Sequence, residues 1–361
     1  MSNPDPMHTE EATALRDAVR TLLARRSGPD AVHTAMSTPL GYDDKLWSTL
    51  CEEIGVAALI VPERYAGAGA TLAEACVVLE ELGRTLTPAP LLGSAILGAQ
   101  ALLLTGNDAV CHRLLPGIAA GSTLAAVAWS DVDGNWSPDT PACTATNGKL
   151  DGLAHYVLDG DLADVLLVVA ATGNGPGLFE VSPSDTRRER IPGMDPTRRL
   201  SAVEFAATPA ARLDQGDFAP GLRRLRDIAV IALAAEQVGA AGRALELTVE
   251  YTKQRHQFGR PIGGFQALKH RMADVHVDIE AARSALYAAV IAARTEADDL
   301  SLAAATAKVV CSAALEHAAA EMIQLHGGIA ITWEHDAHLY FKRAHATALL
   351  FGEPDVSAET N

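Results

Sequence analysis

The alternation of apolar and polar positions changes character twice along the chain. From Glu10 to about Gly117 the apolar residues recur at helical spacing. In EEATALRDAVRTLLARR (10–26), Leu15, Val19, Leu22 and Leu23 share one face, with acids early and arginines late, as the helix dipole favours. The loop VPERYAGAGAT (61–71) ends at Thr71. LAEACVVLEELGRTL follows it as a second amphipathic helix, which Gly83 is expected to close. From Gly121 to about Pro220 the pattern shortens into strand-like runs: LAAVAWS, ACTATNGKLDG, AHYVLDG, ADVLLVVAA, GLFEVS and LSAVEFA. Asn147-Gly148 and Asp159-Gly160 are turn signals, and a spacing of about ten residues per strand predicts a small antiparallel barrel or sandwich.

After Gly221 helical spacing returns. Asp227 to Tyr251 carries Ala, Val, Leu and Ile on its inner positions, and Gly239 and Gly242 allow close helix approach. The next helix places Phe265, Leu268, Met272, Val275, Ile279, Ala282 and Leu286 at steps of three and four, a seam for another helix. A third, from about Leu300 to Leu325, offers Ala304, Ala307, Cys311, Ala314, Ala318 and Met322, and a fourth begins near Glu334. The expected fold is α+β and mainly α. It comprises an N-terminal helical domain (1–120), a middle antiparallel β-barrel or sandwich (121–221) and a C-terminal four-helix bundle (222–361).

A chain of 361 residues is too long for one simple core, which agrees with that division. The net charge of −16 argues against a nucleic-acid partner and leaves room for a local anion site. Cys51, Cys76, Cys111, Cys143 and Cys311 lack metal or redox spacing and read as buried thiols in a reducing compartment. MSNPDPMHTEE lacks the apolar core of a signal peptide, and no run of about 18 apolar residues marks a membrane span, so a cytoplasmic protein is expected. No G-x-G-x-x-G opens a helix after a strand; Gly173, Gly175 and Gly177 suit a hairpin loop.

Between the first two bundle helices lies RHQFGRPIGGFQALKHRMAD (255–274), a basic elbow where a plain connection would serve. Alone, Arg255 reads as a solvated helix-end cation and Gly327-Gly328 as a helix cap. Together, the elbow, Arg283 beyond it, and QLHGGIAITWEHDAHLYFKRA (324–344) resemble the acyl-CoA dehydrogenase family, as does the order of domains. The resemblance implies FAD as cofactor and α,β-desaturation of an acyl-CoA thioester. A carboxylate base takes the α-proton, the β-hydrogen passes to the flavin, and electron-transfer flavoprotein or a similar acceptor follows. It also implies that Arg255 grips the FAD diphosphate bidentately, with Gln257 as a polar contact and Phe258 as a wall. Gln324, Gly327 and Gly328 would contact the adenosine diphosphate half of a cofactor on a neighbouring subunit. His335 and His338 read as surface polar residues, and no metal is expected.

The chain departs from the family where the chemistry happens. The slot of the usual glutamate holds Phe351, followed by Gly352, with Glu353 two residues late. The alternative slot on the first bundle helix holds Ala229, with Asp227 and Glu236 nearby. In the middle domain AWSD (128–131) and HYVLDG (155–160) stand where ring-binding strands belong, with Tyr156 for a Trp and Leu158 for a Thr that would hydrogen-bond the flavin. The pattern resembles the base-lacking subunit of actinobacterial heterotetramers that act on bulky CoA esters such as steroid side chains. Two other readings stand beside it. One is a self-sufficient homotetramer with a base at Asp227, Glu236 or Glu353; the other is a non-enzymatic acyl-CoA-binding or scaffold protein.

Overall fold

Residues 7–137 and 140–352 are described by the structure, a computed structural model. Six helices open the chain. In α1 (Glu10–Arg26) the Thr9 hydroxyl accepts from Ala12 N, and Val19 and Leu23 are buried with Leu15 and Leu22 packed beside them. Next come α2 (Pro29–Ser37) and α3 (Asp44–Thr49). Helix α4 (Leu72–Thr85) starts at a capping box in which Thr71 and Glu74 satisfy each other's backbone donors. A π-helical stretch, Leu91–Gly98, runs into α5 (Ala99–Leu103), and α6 (Asp108–Ala119) leads to the sheet.

Gly83 does not close α4. The helix runs on to Thr85 and ends where Leu86 turns left-handed, at a φ of 52°. Gly83 instead lies at the crossing of α4 with the first bundle helix, α7 (Ala219–Gln254). A Cβ on Gly83 would sit 2.2 Å from Glu236 O, and one on Gly239 would sit 1.9 Å from Glu80 O. The two backbones touch because neither glycine has a side chain. Gly239→Ala is therefore expected to cost about 2 kcal/mol despite alanine's better helix propensity, read as a lower urea midpoint.

The middle sheet has eight strands: β1 (Ala125–Ala128), β2 (Cys143–Thr146), β3 (Lys149–Leu158), β4 (Val165–Thr172), β5 (Gly175–Val181), β6 (Arg187–Ile191), β7 (Leu200–Pro209) and β8 (Ala211–Arg212). Their order is β6-β7-β3-β2-β4-β5-β8, with β1 also on β4. The expected antiparallel pairing holds along most of the sheet, including the β2–β3 hairpin at Asn147-Gly148 and the β4–β5 hairpin at Gly173-Asn174. It fails at β4, where β1 and β2 both pair parallel. They are successive lengths of one track: β1 lies along Val165–Val168 and β2 along Ala170–Ala171. The chain leaves the track between them, and that excursion carries Trp129 and Trp136. Strand β6, RRERI, escapes the apolar pattern because a sheet edge tolerates charge.

The bundle comprises α7, then the short hairpin strands β9 (His256–Gln257) and β10 (Arg260–Pro261), then α8 (Gln266–Thr295), α9 (Leu300–His326) and α10 (Ala337–Leu349). All six seam positions expected on α9 are buried. On α8 the seam is buried from Val275 to Leu286, whereas Phe265, Leu268 and Met272 are half-buried beside the elbow. α7 is long and apolar enough to cross a membrane by composition, but 83% of its apolar window is buried inside the protein, as befits a central core helix. The five cysteines are buried free thiols.

Candidate functional site

The elbow is a tight β-hairpin set on the end of α7. Arg255 N donates to Tyr251 O, which ends the helix, and Ile262 N donates to Arg255 O, which closes the excursion; both bonds are 2.8 Å. Phe258 and Gly259 form its two-residue tip, with φ of 53° and 77°, as a primed turn requires. Arg255, Gln257 and Phe258 all point to solvent, and Phe258 is 90% exposed. The Arg260 guanidinium lies 4.0 Å over the Phe265 ring, which fixes a second cation beside the first. Neither Arg255 nor Arg260 has a carboxylate partner among the described residues, in a chain of net charge −16. An exposed, unneutralised pair of guanidinium groups on a rigid hairpin fits a diphosphate.

The second motif emerges beside the first. α7 and α9 run the same way in the bundle, and Tyr251 clamps their ends. Its ring stacks on His326 at 4.2 Å and its hydroxyl donates to His326 O at 3.3 Å. Gln324, Gly327 and Gly328 are exposed there, and a Cβ on either glycine would meet open space. His338 is not a surface residue: it is 8% exposed, packed under Trp333 with neither ring nitrogen hydrogen-bonded among the described residues. His335 is half-buried against His326. Burial holds all three imidazoles below their ordinary range. Among the described residues no group of three or more His, Cys, Asp or Glu is arranged to hold a metal.

The candidate bases lie elsewhere. Ala229 is fully buried in α7. Asp227 accepts from Ser301 at 2.9 Å. Glu236 is buried between two guanidinium groups, hydrogen-bonded by Arg198 and 3.6 Å from Arg343. A carboxylate so held is a counter-charge for the network that ties the sheet to the bundle. Glu353 lies outside the described residues.

Phe351 is 2% exposed and stands in an aromatic cluster that the sequence pattern did not reveal. Its ring meets Trp129 at 5.9 Å and Trp136 at 5.1 Å, and the two indoles meet at 5.5 Å, all edge to face. With Gly93, Leu97, Val127, Tyr156 and Leu158 they line a cavity of only about 10 Å³. On the far side of Leu158 lies a second small cavity of about 30 Å³, walled by Asp159, Arg198, Glu236 and Arg343. A three-ring flavin does not fit either space. The parts of the chain whose chemistry suits FAD are thus the cationic hairpin and the open glycines, and not the crevice around Leu158.

Lys308 ties down the backbone just before Phe351. Its ammonium, 3% exposed, donates to Thr347 O at 2.6 Å and Leu350 O at 2.7 Å. Burial pushes it down to about 7 from 10.5. In that window the folded chain binds fewer protons than the unfolded one, so stability rises with pH. Lys308→Met is expected to flatten this slope by up to about 1.4 kcal/mol per pH unit. Urea midpoints at about pH 7.5 and pH 9.5 should then differ less than in the wild type.

Helices, sheet and bundle in this order, with these two motifs at one bundle end, define a flavin-dependent acyl-CoA dehydrogenase scaffold. Family models for the acyl-CoA dehydrogenase N-terminal and C-terminal domains match residues 9–122 and 228–360. The chain belongs to the acyl-CoA dehydrogenase family of oxidoreductases. It is 46% identical to acyl-CoA dehydrogenase IpdE2 of Mycobacterium tuberculosis, over 96% of this chain and 94% of that one. Among solved structures it resembles the Tcur3481-Tcur3483 steroid ACAD (G363A variant) with a TM-score of 0.88 and 32% identity, covering 97% of this chain and 95% of that one. The ChsE4-ChsE5 complex from Mycobacterium tuberculosis matches with a TM-score of 0.87 and 28% identity, over 97% and 95%.

Proposed function

We propose that this chain is the base-lacking subunit of a heteromeric acyl-CoA dehydrogenase, and that its elbow and glycines grip the diphosphate end of an FAD whose ring lies on an unlike partner. One observation carries the reading: the hairpin is open and unneutralised, while the crevice of the same chain is filled by Trp129, Trp136 and Phe351. A second copy of this chain would offer the hairpin no ring seat. FAD, when bound, supplies the hydride acceptor for α,β-desaturation of an acyl-CoA thioester. The partner would bring the carboxylate base, and electron-transfer flavoprotein or a similar acceptor would reoxidise the complex. A bulky, steroid-type CoA ester is the substrate class we favour, because two of the similar structures are two-component complexes and one is described as a steroid ACAD. Buried free thiols suit a reducing, cytoplasmic setting.

Of the carboxylates weighed as the base of a self-sufficient enzyme, Glu236 is engaged by two arginines and Asp227 accepts from Ser301. The test is turnover of a steroid-type CoA ester with an artificial electron acceptor, by this chain alone and together with an unlike family member that carries the carboxylate. Turnover only in the mixture is expected. Turnover by the isolated chain would contradict the proposal.

A further inference from the structure

Three parts of the molecule meet at the closed crevice. Trp129 follows β1, Trp136 stands in the excursion between β1 and β2, and Phe351 follows α10, with Gly93 and Leu97 of the N-terminal region beneath them. Each of the three rings meets the other two edge to face. The cavity that remains, about 10 Å³, has room for at most one water. Two signs of constraint mark the cluster. Phe351 has a left-handed φ of 66°, unusual for a bulky residue. Trp129 Nε1 is buried with no acceptor among the described residues, although a buried indole N–H ordinarily finds one. The rings are therefore held by how they fit together, with the Lys308 ammonium fixing the carbonyls just before Phe351.

We infer that the Trp129–Trp136–Phe351 triad is an internal substitute for a bound planar ring, filling the seat between sheet, N-terminal helices and bundle and joining the three. The inference rests on the reading of this crevice as the place of a ring in flavin-bearing relatives, while the joint itself stands on ring geometry within this chain. An empty crevice there would leave its walls without contacts. With the triad in place the chain keeps its domain docking with no cofactor of its own. Removing Phe351 should uncover a flat apolar pocket walled by Trp129, Trp136 and Leu158. The orphaned indole N–H suits a small aromatic ring that carries one hydrogen-bond acceptor.

The test uses the full chain. Phe351→Ala is expected to melt about 5 °C below wild type. Millimolar pyridine, a ring with one acceptor nitrogen, should recover part of that loss, and benzene less; neither should move the wild type. Phe351→Leu keeps bulk without a ring and guards against a variant that fails to fold. It should melt about 2 °C low, with faster hydrogen exchange in 125–129 and 347–351 together. The inference would be overturned by a Phe351→Ala protein that melts like wild type. It would equally be overturned if pyridine and benzene had no effect on that variant, or if exchange in Phe351→Leu rose only around residue 351. None of these readouts depends on flavin, so a failure here is distinct from a failure of the heteromeric proposal.

Discussion

Arg255→Ala is expected to weaken FAD binding by the assembled complex roughly 10- to 100-fold, the loss of one bidentate charge-assisted contact. Arg255 contributes to the fold through its backbone, whose N–H ends α7 and whose carbonyl closes the hairpin at Ile262. The side chain is exposed and has no carboxylate partner among the described residues. Thermal stability of the flavin-free chain should thus stay within about 1 °C of wild type, which separates a cofactor contact from a structural one. Arg255→Lys should recover only part of the affinity, because an ammonium cannot match two phosphate oxygens with a planar fork. Titration of the flavin-stripped complex with FAD, followed by absorbance, checks both affinities, and thermal melts of the flavin-free chain check its stability. Affinity should fall further at high salt in the wild type than in Arg255→Ala.

Arg343→Met is expected to cost about 3–5 kcal/mol in the stability of the chain. Arg343 is 4% exposed on α10 and hydrogen-bonds Asp195 and Thr197 of the sheet's connecting loop, with Glu236 of α7 3.6 Å away. Burial alone would push the Asp195 carboxyl up. Arg343, the Thr197 hydrogen bonds and Arg198 outweigh it, so the group sits below the usual carboxylate range. Asp195 therefore adds stability above the unfolded-state value, lost as pH falls through the folded one. Without Arg343 the largest compensating charge is gone, leaving Thr197 and Arg198 against burial, so the carboxyl takes up a proton more readily than in the wild type. The deficit of Arg343→Met should then be smaller near pH 5 than near pH 8 in urea titrations at the two pH values.

The bundle and the two motifs proposed to clamp the cofactor were legible because both are local. The α9 seam, Ala304 through Met322, is a spacing within one helix, and Arg255 to Gly259 with Gln324 to Gly328 are short runs whose residue types carry their chemistry. What escaped depends on distant partners. Gly83 looks like a helix stop in its own segment, and only the backbone of α7 pressed against it shows why glycine stands there. Strands β1 and β2 read as members of an antiparallel set because alternation says nothing about the direction of a neighbour. His338 reads as polar surface until Trp333 is seen to cover it. The aromatic triad joins the strand excursion to the chain beyond α10, and no period in either segment predicts that meeting. Phe351 and Leu158 could be read in the sequence at the positions that the resemblance assigns to the base and a flavin contact; that aromatic rings fill the crevice there could not.

The central claim is that this chain grips a flavin it cannot seat. The most direct test is the flavin-to-protein ratio, from absorbance, of the chain purified alone and of the chain co-expressed with an unlike acyl-CoA dehydrogenase that carries the carboxylate base. The account predicts a colourless isolated chain and a yellow complex bleached by its acyl-CoA. One flavin per copy of the isolated chain, bleached by an acyl-CoA, would contradict it.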